Sequence, residues 1–432
     1  MKRILICLPL LLINPPAAAA SDGAAAVLDW NEFGTSLLVL APTALVDGRI
    51  YAMQHGAVHD ALNTIKRQYE RYSTCNGVPY APHASPAAAV AQASYEVLTA
   101  LWSTNPLLPD DAKPGFVAMI AERHATAMAA IPDGPGKASG VHVGRECAMA
   151  NLDRRANDGI DMAGPPFSAA PAYSPGSEPG DYQFTPPFDV PPQGPFAFAP
   201  GWGNVAPFVI DVDRHRAPGP DALRSFAYAL DVNYLRAIGR QQSSLRTANQ
   251  TEIAQFWYEL SPSGWNRLAN TALRKKHASD WKAARVLALV NFAMADGYIA
   301  LFRAKYAEPF WRPITAIREA ATDGNPFTRP EAGWTPLCET PPIPEYPSNH
   351  TALGAAAATI LGGLLGDRLS FSTTSASLPG VTREYKSFTQ AAVENGLSRV
   401  YCGIHFVRAV NDGYRMGQSI GRSVMRELRP VR

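Results

Sequence analysis

Pro344-Glu345-Tyr346-Pro347-Ser348-Asn349-His350 runs directly into TALGAAAATILGGLLG, residues 351–366. The second stretch decides the fold. It is small and apolar throughout, with no charge and no proline, so it reads as a helix buried by other elements. Apolar residues recur at three- and four-residue spacing over 42–66 and over 86–160, as in Ala87-Ala89-Val90-Ala93, with Pro106, Pro109 and Pro132 as punctuation. The same period covers 221–239, 243–260, 266–275, 278–305, 383–400 and 407–427. Convincing alternating β segments are scarce. The expectation is a mainly α protein, a large helical bundle without internal repeats.

Between Pro165 and Pro220 the chain turns rich in proline, glycine and aromatics. A segment this long without periodicity is usually functional or a cover, and its aromatics argue for packing on the bundle. The expected organisation is a helical region over 21–220 ending in this strap (165–220), then a bundle region over 221–432, joined as a single compact unit.

Charged residues make up 18% of the 432, with a formal net charge of +2, which does not point to nucleic acid or a membrane surface as the main partner. Met1-Lys2-Arg3, an apolar run from Ile4 to Ile13 and small residues Ala17 to Ala20 read as a signal peptide over 1–20, so a secreted or periplasmic protein is expected. No later stretch reads as apolar enough for long enough to cross a bilayer. Cys75, Cys147, Cys338 and Cys402 remain after the signal. In an oxidising compartment they permit disulfides, with Cys75–Cys147 and Cys338–Cys402 preferred because each pair shares a region, and four buried thiols as the alternative.

Three segments of the last third carry chemistry. Lys305 and Arg312-Pro313 come first, then Pro347-Ser348-Asn349-His350, then Ser398-Arg399 with His405. Pro309 and Pro313 preclude one unbroken helix, so Lys305 belongs at a helix end and Arg312 in the following turn, both facing inward. Ser348 or Asn349 can cap the buried helix, whose free N–H groups suit an anion. Arg399 and His405 approach from different sides. Each element alone is a surface cation, a plain cap or a core histidine. Jointly they supply three cations, two histidines and a hydroxyl, an inventory for a tetrahedral oxyanion that expands to five-coordinate: phosphate or vanadate.

The pattern Lys-x6-Arg-Pro, Pro-Ser-x-His, Ser-Arg-x5-His resembles the vanadium-dependent haloperoxidases and the related type 2 phosphatidic acid phosphatases. Phe310-Trp311-Arg312-Pro313-Ile314-Thr315-Ala316-Ile317-Arg318, Pro344-Glu345-Tyr346-Pro347-Ser348 and Val58-His59-Asp60-Ala61-Leu62-Asn63 are similar to the bacterial haloperoxidase-like branch. The resemblance implies vanadate as cofactor on His405, with phosphate able to occupy the same site. It implies that Lys305, Arg312, Ser348, the Asn349 N–H and Arg399 hold the oxyanion, that His350 is the acid–base group, and that Lys305 also polarises bound peroxide. The substrates would be hydrogen peroxide, a halide and a small organic acceptor. The alternative is a phosphatase acting on a phosphate ester through a phosphohistidine at His405. A homo-oligomer is compatible with either.

The chain departs from the family pattern at particular residues. Asn349 stands where glycine is usual. Ala409 stands where an aspartate commonly follows the last histidine by four residues, so Asp412 or another acceptor must serve His405. Glu259 falls near an upstream carboxylate that steadies the acid–base histidine or an arginine. Phe302 and Ile343 fall at the halide-site positions that are both aromatic in chloride-oxidising fungal relatives, which favours bromide or iodide. Asp296 and the His59-Asp60 pair read as structural.

Overall fold

The structure, a computed structural model, describes residues 25–431, so the expected signal segment lies outside the described residues. Thirteen α-helices, four short 3-10 helices and one two-stranded hairpin make up the regular structure described. The N-terminal half holds α1 (Ala25–Leu40), α2 (Val46–Ile65), α3 (Pro86–Ser103), α4 (Lys113–Ala129) and α5 (Pro135–Arg154). After the strap follow α6 (Phe226–Ile238), α7 (Ala248–Phe256), α8 (Ser261–Lys275), α9 (Asp280–Ala307) and the short α10 (Pro313–Arg318). The last part holds α11 (Asn349–Leu365), β1 (Phe371–Thr374), β2 (Thr382–Tyr385), α12 (Phe388–Tyr401) and α13 (Val407–Val424). Buried apolar side chains from Val27 to Leu428 form one connected cluster.

Local sequence sets many of these boundaries. Ser85, Ser225, Thr247, Ser279 and Ser387 each cap the helix that follows by accepting a backbone N–H, which satisfies one of the orphan donors of a first turn. Pro86, Pro135 and Pro313 sit in first turns, where their missing N–H costs nothing.

Three readings of the sequence are corrected. A helix was expected from residue 383, but β2 pairs antiparallel with β1 there, Phe371 opposite Tyr385, and α12 begins only after Ser387. Pro379-Gly380, with Gly380 at φ 85°, makes the turn that a helix could not include. Helix α1 escaped the periodicity because its polar Asn31 faces inward, donating to Asn270 Oδ1 at 2.7 Å and to the Asn266 carbonyl at 3.2 Å. And α9 is long and apolar enough to span a bilayer, but 94% of its most apolar window is buried inside the protein. It is the central helix against which α2 and α11 pack.

The buried helix α11 packs on α9, α12 and α13. Its contact with α13 is a backbone-to-backbone approach. Cβ atoms added at Gly413, Gly417 and Gly421 would lie 2.7, 2.0 and 2.8 Å from the carbonyl oxygens of Ser348, Ala352 and Ala356. Both sets recur every four residues, so one glycine face of α13 slides against one small-residue face of α11.

One carboxylate of α9 gathers three backbone N–H groups of the strap. Asp296 accepts the backbone N–H groups of Phe208, Val209 and Ile210 at 2.5, 2.9 and 3.1 Å. Further along, Tyr182 donates its backbone N–H to Pro309, Trp311 donates to Gly180, and Phe198 donates to Pro342. The strap therefore braces both segments that lead into the candidate site. His59 and Asp60 are likewise structural: Asp60 accepts the N–H groups of Tyr72 and Ser73, and His59 bonds the Glu70 carbonyl. Cys75 is bonded to Cys147, and Cys338 to Cys402.

Candidate active site

Lys305 lies in the last turn of α9 and is fully buried. Its ammonium donates to the carbonyls of Pro344 at 2.8 Å and Glu345 at 2.9 Å. Arg312 is the residue before α10 and is equally buried. Its Nε donates to the Ile343 carbonyl at 2.7 Å and its Nη1 to the Ile404 carbonyl at 2.8 Å, which ties all three segments together. Nη1 also lies 3.2 Å from His405 Nε2, while Nη2 is buried with no protein partner. Arg399 enters from the last turn of α12, its guanidinium 5.4 Å over the Tyr258 ring, and its Nε and Nη1 are also without partners.

Three cations thus sit in the interior among one carboxylate, Glu345. Burial drives Lys305 well below the usual lysine range, helped by Arg312, and brings Arg399 down to about 10. Buried cations with open donors are costly unless a negative group completes them. The donor arrangement calls for an anion.

Ser348 is the residue preceding α11 but does not cap it. Its hydroxyl accepts from Thr351 at 2.9 Å instead. That leaves its own hydrogen and the first N–H groups of α11 free, and a helix start of this kind favours negative charge. Asn349 is the first residue of α11, 7% exposed, and its Oδ1 is buried without a partner. The Ser398 hydroxyl, in contrast, is spent on the Asn395 carbonyl at 2.6 Å.

The two histidines are oriented differently. His405 Nδ1 is 2.9 Å from Glu345 Oε1, an oxygen that also accepts the Phe406 N–H at 2.9 Å. With Nδ1 carrying the proton, Nε2 presents its lone pair beside Arg312. Burial and the cations Arg312, Lys305 and Arg399 hold the imidazole well below its ordinary pKa, so it is neutral and able to ligate. Burial pushes Glu345 up to about 8 against the pull of Lys305 and Arg312. His350, partly accessible, has Nε2 3.0 Å from the Glu259 carbonyl, which leaves Nδ1 as its free nitrogen. Burial and the Arg399 charge hold it, too, in the neutral form.

Glu259 meets His350 through its backbone and not through its carboxylate. The side chain, 9% exposed, pairs with Arg267 and accepts the Ala376 N–H at 3.0 Å. Arg267 also donates to the Thr374 carbonyl, so the hairpin is tied to the same clamp. Asp412 does not serve His405. It accepts from Tyr346 at 2.8 Å and pairs with Arg408 and Arg415. The carboxylate that reaches His405 is Glu345, three residues before Ser348. A single acid between two prolines, beside the anion segment, was the available signal. Phe302 and Ile343 are both buried, at 1% and 8% exposure, and the Ile343 carbonyl helps hold Arg312.

A family model described as the VCPO second helical-bundle domain matches residues 285–431, which contain every one of these cations and both histidines. Over this span the chain is similar to a domain of the vanadium-dependent haloperoxidases. The vanadium chloroperoxidase of Curvularia inaequalis is 28% identical over 197 residues, 38% of this chain and 32% of that protein. The chain therefore matches about a third of the length of this curated relative. The fold extends further than the sequence likeness. A bacterial vanadium-dependent iodoperoxidase superposes with a TM-score of 0.75 at 22% identity, over 96% of this chain and 98% of its own. A bacterial vanadium-dependent chloroperoxidase in its holo form gives 0.67 at 18% identity, over 91% and 94%. The residues fit a tetrahedral oxyanion such as vanadate on the strength of the open donors of Arg312 and Arg399 and of the neutral His405, whose Nε2 lies beside Arg312.

Proposed function

We propose that the chain is a vanadate-dependent haloperoxidase that oxidises bromide or iodide, in preference to chloride, with hydrogen peroxide. The observation that carries this is the neutral His405, its Nε2 beside Arg312, among buried cations of which Arg312 keeps Nη2, and Arg399 keeps Nε and Nη1, without a protein partner. His405 would bind the vanadate, and Arg312, Arg399 and Lys305 would balance its charge. The Ser348 hydroxyl and the Asn349 N–H would complete the set. Vanadate supplies a Lewis-acid centre at which peroxide becomes electrophilic toward halide.

The chain's own part is electrostatic and proton-handling. Fixed cations in a site closed to water stabilise charge without reorganising. His350, held neutral with Nε2 on the Glu259 carbonyl, would take the first proton of peroxide at Nδ1. Ile343, aliphatic where chloride-oxidising fungal relatives have an aromatic, supports the preference for softer halides. The two disulfides support a site of action outside the cytoplasm.

The test is a paired assay on protein lacking residues 1–20. After addition of orthovanadate, bromination of phenol red with peroxide and bromide should appear, and it should vanish in His405→Ala. Vanadate-free protein is assayed in parallel on p-nitrophenyl phosphate. Phosphatase turnover without any bromination would overturn the proposal in favour of phosphate ester hydrolysis at the same residues.

A further inference from the structure

Among the residues of the candidate site, the unmet polar groups are donors, with two exceptions. Arg312 Nη2, Arg399 Nε and Arg399 Nη1 are buried and open, and Lys305, the Ser348 hydroxyl and the first N–H groups of α11 add more donors. The exceptions are His350 Nδ1 and Asn349 Oδ1. His350 can reverse its role by taking a proton. Asn349 Oδ1 cannot, and it is buried on a residue 7% exposed, with no partner.

We infer that Asn349 makes the site selective for oxyanions that carry a proton. Its Oδ1 accepts a hydrogen bond from a hydroxyl of the bound anion. Phosphate and vanadate bear such a proton near neutral pH, and sulfate does not. Sulfate would set an oxygen lone pair against Oδ1 and leave a buried acceptor unpaired. This rests on the oxyanion reading above and names the ligand class of that site. A buried acceptor without its donor costs enough to lower affinity by roughly 10- to 100-fold.

The probes are inorganic phosphate and sulfate, titrated calorimetrically into vanadate-free protein at neutral pH. Phosphate should bind at least tenfold more tightly than sulfate. Asn349→Ala should bring the two affinities within about threefold, mainly by strengthening sulfate, and Asn349→Gly should do the same if the alanine variant folds poorly. A phosphate-to-sulfate ratio that is unchanged in a folded variant, or that is already near one in the parent, overturns this inference while leaving the oxyanion site intact. If neither anion binds the parent protein, the oxyanion reading falls and takes this inference with it.

Discussion

Glu345 shows how one side chain sets the chemistry of another. Its Oε1 gathers the His405 Nδ1 and the Phe406 N–H, so the imidazole can turn neither its ring nor its tautomer without losing a buried hydrogen bond. Partners of this kind commonly matter 10- to 100-fold for ligand affinity. Glu345→Gln keeps the shape and one acceptor but replaces the ionisable carboxyl, and vanadate affinity should fall by roughly tenfold or more in a calorimetric titration. The pH profile follows from His405 itself. Protonation at Nε2 competes with the ligand, and its pKa is held below the ordinary 6.5 by burial and by Arg312, Lys305 and Arg399, with His350 adding to the same side. Vanadate affinity should therefore hold steady as pH is lowered through 6.5 and decline only beneath it. A decline centred at 6.5 would mean that the cations do not act on the ring as argued.

At the scale of elements, the contact between α11 and α13 brings His405 to Ser348. Gly417→Ala would place a methyl 2.0 Å from the Ala352 carbonyl, backbone against which nothing can rotate away. The helices must part, at a cost of about 1–3 kcal/mol or somewhat more, and both urea stability and vanadate affinity should drop together. Much at this scale was legible in the sequence. The small-residue run at 351–366 announced α11, and the prolines around Arg312 placed it in a turn beyond a helix end. The four-residue glycine spacing at Gly413, Gly417 and Gly421 was also present, but a glycine every turn looks the same whether it faces water or another backbone. The partners of Glu259, Glu345 and Asp412 were not legible. Which carboxylate meets which histidine depends on loops that bring residues 259 and 350, or 345 and 405, together over distances that no period encodes. Alternation also misled locally: Thr382-Arg383-Glu384-Tyr385 looks compatible with a helix start until its pairing with β1 is seen.

At the scale of the whole molecule, the apolar cluster is continuous from α1 to the C-terminal residues, and covalent ties supplement it in both halves. Cys75–Cys147 fastens the turn after α2 to α5 across 72 residues of chain. By loop-closure entropy such a tie contributes about 4 kcal/mol, so Cys75→Ser with Cys147→Ser should lower stability by about 2–5 kcal/mol in urea unfolding. Such measurements depend on what else is dissolved. On the proposed function, the interior cations described above make the folded chain an anion receptor, whereas the unfolded chain has no such site. Any tetrahedral anion that enters is then thermodynamically part of the fold. At a hundred times its dissociation constant it adds about 2.7 kcal/mol, and the melting temperature should climb with phosphate concentration in the parent but stay flat in His405→Ala with Arg399→Ala. For this protein, stability is a property of the buffer as much as of the chain, and dialysis into an anion-poor solution is itself a destabilising treatment.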